Sequence, residues 1–177
     1  MTITETGTAA ELTGAQRAAA ERVDALDLDP IAYKLMHPEP GVTTMTLAGA
    51  DQLIAAYRCF LKLCAWYPDQ GFVPSRAVDE AWHAHILDTA KYARDTRSVF
   101  GAVLHHFPYL GLRGEQDEAA WRAAYARTRG MFREHFGIEL PADRAAAGDC
   151  GSACNDEGGS CDPHAALTRE RPRPTRA

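Results

Sequence analysis

Four of the seven histidines of this 177-residue chain fall in two short runs, Asp79-Glu80-Ala81-Trp82-His83-Ala84-His85 and His105-His106-Phe107-Pro108. Imidazole is the commonest metal ligand and the side chain most readily made to titrate near neutrality, so this clustering points to a chemical centre. Asp79 and His83 are four residues apart, one helical turn, which sets a carboxylate beside an imidazole on one helix face. Two such ligands can share an ion, and a third from His105 or His106 would make a His/His/carboxylate set with coordination positions left for water or substrate. Zinc, iron or copper suits these donors. Without metal, Asp79 and His83 can orient each other for proton transfer.

His85 is separated from His83 by about 160° around a regular helix, so the two do not converge on one ion. On a helical wheel His85 shares a face with Val78, Trp82, Ile86, Thr89 and Tyr92, whereas Glu80, Ala84 and Lys91 point away. His85 therefore reads as a buried, hydrogen-bonded brace or a less favoured ligand, with Asp88 placed to take its second ring N–H. Adjacent histidines in a loop diverge, so one of His105 and His106 is expected to face His83. The register is not His-Glu-x-x-His, and no P-loop, nucleophile elbow or dinucleotide fingerprint is present, so no nucleotide cofactor is expected.

The elements around these residues read as an all-α, compact single-domain bundle of about four main helices, over residues 9–140. The first runs from Ala9 to about Leu28, and Asp29-Pro30 interrupts it before a short helical or extended piece, Ile31–Met36. Leu53, Ala56, Tyr57, Phe60, Leu63 and Cys64 repeat at three and four and define a helix over Leu47–Trp66. Ser75 caps a third helix running to about Thr96. Asp117 is expected to cap the last, on which Trp121, Tyr125, Thr128, Phe132 and His135 share a side. No strand alternation is visible.

Beyond Pro141 the chain is rich in Gly, Ala, Ser, Pro and Arg, and residues 141–177 read as a flexible tail unable to offset its ordering entropy. It carries Cys150, Cys154, Cys161 and His164, donors of the right type for a second, weaker soft-metal site, though not at zinc-finger spacing. Cys59 and Cys64, among apolar residues, read as small buried thiols.

Hydrophobic residues make up 46% of the chain and charged ones 24%, a soluble globular balance. A net charge of −5 gives no footprint for nucleic acid or anionic lipid. The first ten residues lack a basic, apolar leader, and no apolar run is long enough to span a membrane, so a cytoplasmic location is expected.

The ordered series Ile31-Ala32-Tyr33-Lys34-Leu35, Tyr57-Arg58-x-Phe60-Leu61, Val78-Asp79-Glu80-x-Trp82-His83-x-His85 through Tyr92, Phe100-Gly101 and His105-His106-x-Pro108-Tyr109 resembles the bacterial branch of the glycine-rich domain-containing protein family. The resemblance spans about residues 28–140. It implies little about activity, since members are largely uncharacterised and the plant ones are associated with stress and development. Bacterial relatives often carry a cysteine near Arg97-Ser98, which this chain lacks.

Three functions fit these features. The first is a metal-binding helical protein, extending to a small metal-dependent enzyme. The second is a protein-interaction module with structural histidines, and the third a metal buffer or carrier acting through the cysteine tail. The partner is a small molecule or a protein.

Overall fold

The computed structural model describes residues 12–41, 44–142, 145–146 and 149–150. Among them are six helices and two two-residue strands: α1 Gly14–Asp24, α2 Asp29–Met36, α3 Leu47–Trp66, α4 Arg76–Leu87, α5 Thr89–Phe100, β1 His106–Phe107, α6 Glu115–Phe136 and β2 Asp149–Cys150. The described residues are thus mostly helical, with six helices among them where the sequence reads as about four.

The extra helices come from two local breaks. Pro30 sits in the first turn of α2, where its missing N–H costs nothing, so Asp29-Pro30 starts a helix rather than merely ending one. At Asp88 (φ −84°, ψ 72°) the expected third helix splits in two, because the Asp88 carboxylate accepts from the Lys91 N–H and caps α5. The break resets the helical phase: Thr89, expected on the core face, is exposed, and Lys91, expected outside, is buried.

α3 is the central element, and α1, α2, α4 and α6 all pack on it. Its Tyr57, Phe60, Leu61 and Leu63 are fully buried with Phe72 of the α3–α4 connection, Trp82 of α4 and Phe132 of α6. Arg58 on the same helix donates to the carbonyls of Val23 (2.6 Å) and Leu26 (2.8 Å), satisfying acceptors at and just beyond the end of α1.

Ser75 caps α4, its hydroxyl accepting from the Val78 N–H at 3.3 Å, and it is buried. Replacing Ser75 with Ala is expected to cost about 1 kcal/mol in a urea unfolding titration, the usual loss for a side-chain cap. Asp117 does not cap α6, whose N-cap Gly114 has no side-chain bond. It sits inside the first turn and accepts from the N–H groups of Gly111 (2.7 Å) and Arg113 (3.1 Å), which folds the preceding loop back on the helix. Desolvation works to raise its carboxyl pKa, but those two bonds and a third from the Arg113 guanidinium at 2.6 Å hold it below the usual range.

The segment read as a flexible tail docks over its first residues. β2 pairs antiparallel with β1, His106 opposite Cys150 and Phe107 opposite Asp149. Ala145 bridges to Ser75, and the Ala146 N–H donates to the Pro74 carbonyl at 3.0 Å. Ala146 and Cys150 are buried there, and the backbone bonds supply what apolar burial does not. The expectation of disorder over residues 151–177 lies outside the described residues. No helix among the described residues is long and apolar enough to cross a membrane.

Candidate metal centre

α4 carries Asp79 and His83 on successive turns, and β1 brings His106 across to them. His106 Nε2 lies 3.0 Å from Asp79 Oδ1 and 3.2 Å from His83 Nε2, and His83 Nδ1 lies 3.7 Å from Asp79 Oδ2. One ligand atom from each of the three residues falls within 4.8 Å of the others. Metal–nitrogen and metal–oxygen bonds of about 2.0–2.1 Å at a tetrahedral angle put neighbouring donors about 3.3 Å apart. The two shortest edges here are close to that value, so the group is geometrically able to hold a metal ion.

The group is half in and half out of the protein. The His106 and Asp79 side chains are 8% and 13% exposed, whereas His83 is 52% exposed and forms the solvent side. His106 is held on three sides. Its ring lies against buried Trp82, centroids 4.4 Å apart, and its backbone pairs with Cys150. Two residues earlier, the Leu104 carbonyl accepts a bond from the Tyr92 hydroxyl, which itself accepts from Trp82 Nε1 at 2.9 Å. The Tyr92 ring thereby ties α4, α5 and the approach to β1 together, and burial pushes its phenol far above its ordinary pKa.

His105 is exposed and is not part of the group. With His106 it lines a groove of about 330 Å³ whose remaining walls include Ile86, Tyr92, Val103 and Leu104.

His85 is 1% exposed and both its ring nitrogens are engaged within the core. Nδ1 lies 3.0 Å from the Tyr57 hydroxyl and Nε2 3.2 Å from Asp95 Oδ2. The partner is Asp95, not Asp88, whose carboxylate is spent on capping α5. Burial lowers the His85 pKa, and the attraction of Asp95 only partly offsets this. A neutral ring therefore accepts from Tyr57 and donates to Asp95, a tautomer consistent with both distances. The charge on Asp95 is balanced instead by Lys91, whose ammonium is 2.7 Å from the same oxygen and buried with it. Desolvation also drives the Tyr57 phenol well above its ordinary pKa.

Sequence reasoning missed Asp95 and Lys91. A signal was present, since they are four apart and oppositely charged, but a continuous wheel through Asp88 turned Lys91 outward.

Cys150 is buried against Cys64, with the sulfurs 3.2 Å apart, and not exposed on a tail. Its proposed co-ligands Cys154, Cys161 and His164 lie outside the described residues. Cys59 is half-buried, and desolvation raises its thiol pKa.

A family model matches residues 28–129, from the start of α2 into α6, and takes in every residue of the Asp79, His83 and His106 group. The chain belongs to the UCP032817-like family. That membership corrects the resemblance to glycine-rich domain-containing proteins. The Trp-His-x-His and His-x-Pro elements are short, and a few such elements in order do not by themselves fix a family. No curated protein and no solved structure matches the chain.

Proposed function

We propose that this member of the UCP032817-like family binds a divalent transition metal through Asp79, His83 and His106. The observation that carries the reading is the donor geometry, two edges of 3.0 and 3.2 Å among two imidazoles and a carboxylate. Three protein ligands leave at least one coordination position, as in sites that polarise a water or a substrate oxygen. The exposed edge of His83 gives solvent access to that position. The groove beside His106 has room for a small, largely apolar molecule, so a small metal-dependent enzyme or ligand-binding protein is the functional class. His85 supports the site from below by fixing α4 against α3 and α5.

One observation favours a second reading. The 3.0 Å bond between His106 and Asp79 can by itself clamp β1 to α4, making the histidines structural.

Titration of chelator-treated protein with Zn²⁺, followed by isothermal calorimetry, separates the readings. The expected result is one ion per chain, an affinity at least about tenfold weaker in His83→Ala, and no change in a Cys154→Ser/Cys161→Ser variant. Uptake lost only in the cysteine variant would assign metal binding to the tail. No uptake by the wild type would leave the structural clamp.

A further inference from the structure

We propose that Cys64 and Cys150 form a redox-active thiol pair that closes to a disulfide when a peroxide enters the cleft beside α1. The proposal stands on observations separate from the metal centre. The two sulfurs are 3.2 Å apart although the residues are 86 positions apart in sequence, so the fold alone brings them together. Two thiolates sharing one ion at about 2.3 Å and a tetrahedral angle would sit about 3.8 Å apart, so this contact is too close for a shared metal and suits direct sulfur chemistry.

The surroundings provide access. Cys64 lines a cleft of about 200 Å³ with Arg22, Ala65, Pro68 and Phe100, a space large enough for a small peroxide. Arg22 in that wall is tied by its Nε to the Val99 carbonyl at 3.4 Å. Cys150 accepts a bond from the Phe72 N–H at 3.3 Å, while its own N–H donates to the Phe72 carbonyl at 3.0 Å. These bonds hold its sulfur pointing at Cys64.

The chemistry balances in two steps. The Cys64 sulfur attacks one peroxide oxygen, an S–O bond forms, the O–O bond breaks, and the leaving oxygen takes the thiol proton to depart as water. The Cys150 sulfur then attacks Cys64, the S–S bond forms, and the S–O bond breaks, with the hydroxyl leaving as a second water carrying the Cys150 proton. The cysteines lose two electrons together and hydrogen peroxide gains them. Because Cys150 is the strand partner of His106, the bond would covalently anchor β2, and the histidine strand paired to it, to α3.

All three C-terminal cysteines fall in one tryptic peptide, residues 145–169, so the experiment uses the full chain carrying Cys154→Ser and Cys161→Ser. The protein is treated with hydrogen peroxide, free thiols are alkylated, and the non-reducing tryptic digest is read by mass spectrometry. The expected product links peptide 63–76 to peptide 145–169, two hydrogen masses below their sum, and separates on reduction. It is absent when Cys64→Ser is added. Should that triple variant fail to fold, the mass of the linked pair still decides. Recovery of both peptides unlinked, or linkage of peptide 145–169 to the Cys59 peptide, overturns the proposal.

Discussion

Asp95→Ala is expected to destabilise the protein by about 3–5 kcal/mol, the range for removing one partner of a buried ion pair. The Asp95 carboxylate faces the Lys91 ammonium at 2.7 Å and the His85 ring at 3.2 Å, and all three side chains are less than a tenth exposed. Without it, Lys91 must lose its proton or remain an uncompensated charge, and His85 loses the acceptor for its N–H. Arg94 cannot compensate: it is a cation, and at 70% exposure its own contact with Asp95 contributes little. Urea unfolding followed by circular dichroism measures the loss. Asp95→Asn keeps an acceptor for His85 but not the charge, so it should fall between wild type and Asp95→Ala. Adding Lys91→Met to Asp95→Ala should restore part of the stability, because it removes the orphaned charge while His85 still lacks an acceptor for its N–H. A loss below about 1 kcal/mol would show that water already reaches the pair.

This network also shows what the sequence made legible. α3 and the start of α4 follow from apolar repeats and a serine before a helical run, signals contained within a few residues. The pairing of Asp79 with His83 follows from one turn of helix, and the divergence of His105 from His106 from chain geometry. None of these needs knowledge of a distant segment. Asp95 is different, because its relation to His85 depends on how α5 turns after the Asp88 break, and a wheel drawn through the break reverses Lys91. Cys64 and Cys150 are further still from local reasoning. Their meeting depends on β2, two residues long and without apolar alternation, being held by backbone bonds to β1 and Phe72. Composition marked that region as tail, since composition registers side-chain burial and not the backbone bonding that a neighbouring edge can offer.

His106→Ala should abolish the metal response while His85→Ala should abolish little but stability. His106 supplies the donor common to both short edges of the group, 3.0 Å to Asp79 and 3.2 Å to His83, so its loss leaves two ligands on one helix, with His83 Nδ1 3.7 Å from Asp79 Oδ2. Affinity should fall by at least about 100-fold, beyond the effect of losing a group that merely orients a ligand. Metal that binds only the folded protein stabilises it by about 2.7 kcal/mol at 100 times its dissociation constant, which for a chain of this size raises the melting temperature by about 5–10 °C. Wild-type protein should show that rise with Zn²⁺ and His106→Ala should not. His106→Ala will also lose packing against Trp82, so its baseline melting temperature drops, but a baseline shift and a missing metal increment are separate quantities. His85→Ala tests the distinction from the other side. Its ring touches Tyr57 and Asp95 in the core and reaches none of the three donors, so the variant should melt lower yet retain the Zn²⁺ increment. An increment that survives in His106→Ala would place the ion elsewhere and leave the Asp79–His106 contact as a clamp between α4 and β1.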